Sequence, residues 1–291
     1  MDKKSFPTSI KRGYLEEDFK FFHLKDKKDM EFELHYHDFN KIIVFISGNV
    51  SYLIEGKAYK LRPWDILFVS SNDLHKVIIN NNEPYERIII WVNSNFLEMH
   101  NKNNSNLLTC FQLSSKHKIN LFRMEQHNIS LIKHTLFSLE SAIKDTDFGN
   151  ILLKNSLFIQ LMVYLNRLFM NNTNHIEKGD IEYDSQIEEI INYIKENLQN
   201  DLSIDTLSSK FFINKYYLMH KFKNQTGYTL HKYIQQKRLA FSKSLIIKGY
   251  KITEVCKNCG FGDYSNFIRA FKKAYGISPK DFYKTFKSFK I

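Results

Sequence analysis

Two stretches near the C-terminus carry side chains able to read a polyanion. KYYLMHKFK, Lys215 to Lys223, and YSNFIRAFKK, Tyr264 to Lys273, set long hydrogen-bond donors among regularly spaced apolar residues. Leu218 and Phe222 in the first, and Phe267, Phe271 and Ala274 in the second, fall at the three-and-four spacing of one buried helical stripe. The positions left over face outward. An arginine such as Arg269 presents a fork that matches two acceptors on a guanine edge, and a methionine such as Met219 packs on a thymine methyl. The base-reading candidates are therefore Lys215, Tyr216, Met219, His220, Tyr264, Ser265, Ile268 and Arg269. Asn214, Lys223, Arg238, Lys272 and Lys273 are candidates for phosphate contacts, which position a protein without reading sequence. Arg238 has an alternative as an internal salt-bridging arginine on the connecting helix. For each outward residue the plain alternative is a solvated surface side chain.

Competing chemistry is thin. Cys256 and Cys259 make a lone C-x-x-C without two further ligands at zinc spacing, and Cys256 falls on an inward helix face. There is no phosphate-cradling glycine loop and no nucleophile elbow. His117, His127 and His134 are scattered. No catalytic residue is assigned, and an enzyme is not expected.

The elements that must hold the two stretches form a repeat. At an offset of 49, Asn214 aligns with Asp263, Leu218 with Phe267, Phe222 with Phe271 and Gly227 with Gly276. Each half predicts a short helix (204–210; 252–258), a tight turn, then a capped helix (215–226; 264–275) closed by glycine. The turns read Phe211-Phe212-Ile213-Asn214 and Gly260-Phe261-Gly262-Asp263. A longer helix over 230–247 connects the halves, and 185–197 supplies a leading helix. This is helix-turn-helix, twice. Two such units on one connecting helix would address two major-groove segments about one turn (roughly 34 Å) apart.

Upstream the period changes. Residues 30–95 alternate in short β-branched runs broken by Ser-Gly-Asn, Glu-Gly-Lys and Arg-Pro-Trp-Asp, which predicts a small antiparallel barrel or sandwich. Residues 96–122 are mixed. Residues 123–172 carry two long helical patterns, more apolar stripe than a small barrel needs, and the surplus predicts a dimer surface. The fold class is α+β with two domains. The expected bounds are 1–175 (barrel about 20–95, helices about 123–172), a polar linker over 176–184, and an all-helical domain over 185–291.

With 291 residues the chain is long enough for two cores. Residues 206–291 hold 18 Lys and Arg against 3 Asp and Glu, a net of +15, which leaves about −4 of the total +11 to residues 1–205. Charge so divided points to a polyanion at one end. The N-terminal segment is mixed and charged rather than a signal peptide, and no apolar run reaches a membrane span. The cytoplasm is the expected location, with no membrane partner.

Residues 185–286 resemble the AraC/XylS family of bacterial transcription regulators. The resemblance is carried by Ile252, Val255, Gly260-Phe261, Asp263, Phe267, Arg269, Phe271-Lys272-Lys273, Gly276, Ser278-Pro279 and Tyr283. Cys256 and Lys284 stand where the family often has alanine and arginine. The N-terminal part resembles the cupin-like sensor domain of that family, through His35-Tyr36-His37, Gly48, Pro63-Trp64-Asp65 and His75. The resemblance implies a cupin-like β-barrel with a helical dimerisation segment, then a tandem helix-turn-helix domain. It implies double-stranded DNA, a small-molecule effector, RNA polymerase and a second copy of the chain as partners, with no cofactor. The implied role is transcription activation, with repression by the same architecture as the alternative.

A metal-cupin enzyme is the reading from another class. Metal-binding cupins use two histidines, a glutamate and a later histidine. Here Lys41 takes the glutamate position, which opposes a divalent ion. His35, His37 and His75 remain as a weak three-histidine alternative for zinc or iron. The favoured expectation is that His35, His37, Lys41 and His75 line an effector pocket.

Overall fold

The computed structural model describes residue 15 and residues 17–26, 35–79, 83–171, 176–177 and 179–288. The chain divides into two compact units, residues 1–54 with 58–182, and 183–291 with 55–57. The architecture is the α+β pair of domains expected from the sequence.

The first unit carries β1 (Phe19–Asp26), β2 (Asn40–Ser47), β3 (Val50–Ile54), β4 (Lys57–Lys60), β5 (Ile66–Val69), β6 (His75–Ile79), β7 (Tyr85–Val92), α1 (Ser94–Met99), α2 (Thr109–His117), β8 (Leu121–Phe122), α3 (Gln126–Lys144), α4 (Asn150–Met170) and β9 (Ile181–Glu182). One sheet runs β1-β7-β2-β5-β8 and the other β6-β3-β4-β9. Alternation along β2 sorts its side chains between two cores. Ile43 and Phe45 meet Tyr52, Ile54, Leu67 and Val77 between the sheets. Ile42 and Val44 meet Ile132, Leu136, Leu139, Phe158, Leu161 and Leu165 of α3 and α4. Both faces of β2 are thus buried, which is why it reads as a continuous apolar run. Gly48 turns β2 into β3 at φ +116, where an added Cβ would lie 3.1 Å from the Pro84 carbonyl oxygen.

The segment expected to be a linker, 176–184, is in part fastened to the barrel. Ile181–Glu182 pair with β4. Buried Asp180 binds Arg123, and Glu177 accepts from both terminal nitrogens of Arg62 at 2.9 and 2.6 Å. Its polar composition reflects acids matched to arginines far away in sequence, and composition alone cannot tell those from solvated ones. Arg123 also grips Asp65 with two bonds, 2.9 and 2.7 Å. Residues 96–122, ambiguous from sequence, supply α1, α2 and β8.

The second unit is helical: α5 (Ser185–Glu196), α6 (Ile204–Lys210), α7 (Lys215–Thr226), α8 (Leu230–Ile247), α9 (Ile252–Asn258), α10 (Tyr264–Tyr275) and α11 (Pro279–Ser288). Side-chain caps at Asp184, Ser203, Asn214, Thr229 and Asp263 start five of these helices. Gly227 and Gly276 close α7 and α10 in the left-handed conformation. Ala274, expected in the α10 stripe, is exposed. The core it would enter is filled by Tyr275 and Phe282, whose rings lie 4.5 and 5.8 Å from Phe271.

Candidate nucleic-acid interface and imidazole cluster

α7 and α10 each present one side to a core and one to solvent. Leu218 and Phe222 are fully buried, as are Phe267 and Phe271. Leu207 of α6 and Val255 of α9, also fully buried, lie on the first helix of each pair. The first helices are offset by 48 residues and the second by 49, so the second turn is one residue longer. In the first turn Phe212 takes the left-handed conformation at φ 52; in the second Gly260 takes it at φ 74. Matching bonds follow: Ile213 N–H to the Ser208 carbonyl at 3.0 Å, and Phe261 N–H to that of Cys256 at 3.1 Å.

Between the two helix pairs lies a cleft of about 1160 Å³. Tyr216, Met219, His220 and Lys223 enter it from α7, and Asn266, Arg269 and Lys273 from α10. Tyr216 and Met219 are exposed although apolar in large part. Arg269 donates to the Asn266 amide oxygen at 2.5 Å, which holds its fork near the start of α10. Lys215, Tyr264, Ser265 and Lys272 are exposed but lie off this cleft, and Lys215 is paired with Asp205.

Three candidates are placed differently from the expectation. Ile268 is half-buried against the Phe267–Phe271 core, because it sits beside the stripe rather than opposite it. Arg238 donates from Nε to the Leu198 carbonyl at 2.9 Å and from Nη2 to that of Asn200 at 2.7 Å. The guanidinium braces the α5–α6 loop through backbone carbonyls, not through the expected salt bridge, while Arg238 also borders the cleft. Asn214 caps α7, its Oδ1 accepting from the backbone of Tyr216 and Tyr217 at 2.9 and 3.3 Å. Only its amide nitrogen remains for a phosphate. His231 and Gln235 of α8 and Asn266 of α10 also line the cleft and were not foreseen. The signal for Asn266 was its spacing, one turn before Arg269.

Cys256 and Cys259 are buried, and burial pushes the Cys259 thiol up to about 12. Both are structural, as expected for Cys256.

In the first unit His35, His37, Lys41 and His75 come together. The ring nitrogens of the three histidines lie within 4.8 Å of one another. His75 donates from Nδ1 to the Asp73 carbonyl at 2.9 Å, which leaves its Nε2 lone pair to accept from Lys41 Nζ, also at 2.9 Å. His37 stacks on Phe39, with centroids 4.7 Å apart. Burial lowers Lys41 to about 7, with Arg87 adding to the effect. Burial, then Lys41, holds His37 and His75 well below the usual imidazole range, so both are neutral at pH 7. A divalent ion would need the lone pair that Lys41 occupies and would meet its amine. The donor set does not fit a metal.

Family comparison finds a match in each unit. Residues 22–162 match the AraC-like ligand binding domain, and residues 207–285 match a helix-turn-helix domain. The HTH-type transcriptional activator RhaS of Escherichia fergusonii is 22% identical over 251 residues, 86% of this chain and 87% of that protein. RhaS of Salmonella schwarzengrund is 22% identical over 255 residues, with the same coverage. Among solved structures, ToxT from Vibrio cholerae is 16% identical with a TM-score of 0.35, over 92% of this chain and 98% of that one. The C-terminal domain of the response regulator yesN from Fusobacterium nucleatum is 32% identical with a TM-score of 0.33, over 34% of this chain and 99% of that one. Both matched domains are those of a transcription factor and not of an enzyme. The chain belongs to the AraC/XylS family, and it is a DNA-binding transcription regulator with an AraC-like ligand binding domain ahead of its helix-turn-helix domain.

Proposed function

We propose that this regulator activates transcription in the cytoplasm in response to a small molecule held by its first unit. It acts as a homodimer through α3 and α4 and recruits RNA polymerase at its target promoters. α7 and α10 enter two successive major-groove segments on one face of the duplex. The observation that carries this reading is the shared cleft, where exposed donors of both recognition helices converge. The sign of regulation rests on the RhaS relatives, which are named activators.

Within that reading Tyr216, Met219, His220 and Arg269 read bases, with Lys215, Tyr264 and Ser265 at the flanks. Lys223, Lys272 and Lys273 contact phosphates. Arg269→Ala should weaken binding to the cognate site by about 1–3 kcal/mol and relax base choice at one position. Lys272→Ala should weaken all sequences alike and lower the slope of log affinity against log salt by about one. Fluorescence anisotropy on selected operators and on scrambled DNA, over a salt series, measures both. An R269A protein with unchanged affinity and preference would overturn the base-reading assignment.

A further inference from the structure

Lys41 is the exception among the buried cations of the first unit. Arg87 pairs with Asp26, and Arg123 with Asp65 and Asp180. Lys41 is equally buried, yet among the described residues its partner is a neutral imidazole, that of His75. It is the second residue of β2, on the face that looks between the sheets, in register with Val69 and Trp91. An ammonium held there with no acid among the described residues bonded to it is costly unless a ligand supplies the missing charge. Beside it the Nε2 of His37 is buried and lacks a hydrogen-bond partner. In the Nε2–H tautomer that atom is a second donor. A lysine in place of a metal-binding acid inverts the selectivity of the cluster, from a cation to an anion.

We propose that Lys41 and His37 bind the carboxylate of a small organic acid, and that an organic monocarboxylate is the effector class of this regulator. The inference rests on the reading that the first unit holds an effector. One ammonium and one imidazole N–H match the two oxygens of a carboxylate. A phosphate dianion would call for further donors, and the nearby Arg87 is already paired with Asp26.

The chain has 2 tryptophans, so Trp64→Phe leaves Trp91, whose ring lies 5.8 Å from that of His37, as the sole tryptophan reporter. The full-length W64F protein is titrated with acetate, butyrate and benzoate, with the matched amides, and with inorganic phosphate. The expected result is saturable binding of at least one acid, at least about tenfold tighter than its amide. Lys41→Met should remove that preference, while Lys41→Arg should retain it. A wild-type-like Trp91 emission spectrum without ligand and a cooperative urea transition report that the first unit of each variant is folded. The acid–amide comparison needs no change at Lys41, so a variant that fails to fold leaves the test intact. The inference is overturned if amides bind as tightly as acids, if K41M keeps the preference, if phosphate binds and no acid does, or if nothing binds. Reporter transcription with neutral metabolite fractions judges the effector reading separately. A response to those and not to acids sinks the anion inference alone.

Discussion

A lysine normally carries its charge to pH 10.5, but burial and then Arg87 bring Lys41 down to about 7. Among the described residues, the titratable groups around it are His75 on β6, His35 and His37 on the lead-in to β2, and Arg87 on β7 with its partner Asp26 on β1. The folded pKa lies below the unfolded one, so between about 7 and 10.5 the unfolded chain binds the extra proton. Stability then rises with pH across that window, by up to about 1.4 kcal/mol per pH unit. Below pH 7 the penalty is fully present. Urea unfolding of the wild type and Lys41→Met at pH 6 to 9 should show the variant more stable at pH 6 by a few kcal/mol, with the gap closing as pH rises. A gap independent of pH would count against a depressed Lys41. At this scale the exposure of Tyr216, Met219, His220 and Arg269 was readable, because helical spacing alone sets which residues oppose a buried stripe. The engagement of Arg238 was not, since its acceptors Leu198 and Asn200 lie about forty residues away.

The two helix-turn-helix units solve the same turn with different residues. Gly260 is held twice over, by a positive φ and by the Leu198 carbonyl oxygen 2.3 Å from where a Cβ would stand. Phe212 holds the equivalent conformation with its side chain almost wholly in solvent. A non-glycine residue there is strained by about 1 kcal/mol. Phe212→Gly should therefore stabilise the protein by about 0.5–1 kcal/mol. Gly260→Ala should destabilise it by about 2 kcal/mol or more, as strain and overlap add. Chemical denaturation of both variants checks the pair. A destabilised F212G would show that the exposed ring contributes something the turn geometry does not. Helix bounds in this unit were legible because caps and closing glycines are local signals. The longer second turn was legible too, since the expected first helices stand 48 residues apart and the second 49; the left-handed backbone of Phe212 was not, because nothing in its residue type calls for it.

At the scale of the whole molecule, charge and apolar surface are separated along the chain. The basic excess lies in residues 206–291, on the unit that meets DNA. The first unit exposes Phe148, Ile151 and Leu152 at the start of α4, with Leu131 and Phe137 on α3. Phe148, Ile151 and Leu152, exposed within five residues of one another, are the part of this surface suited to an interaction face. Ile151→Glu with Leu152→Glu should weaken self-association by at least about a hundredfold, read by sedimentation equilibrium, and should leave the unfolding midpoint nearly unchanged. A wild-type protein that is monomeric at micromolar concentration would remove α3 and α4 from the dimer role.

The passage from strands to helices, the tandem repeat and the seat of the basic charge followed from residue types a few positions apart, because periodicity, capping and turn chemistry act within a helical turn or two. The fastening of Asp180 to Arg123, the brace from Arg238 and the lack, among the described residues, of an acid bonded to Lys41 did not. Each is a pairing, or a missing pairing, between groups that the chain brings near only when it packs. Burial then gives those groups their energy, and burial is a property of the folded core rather than of any local stretch.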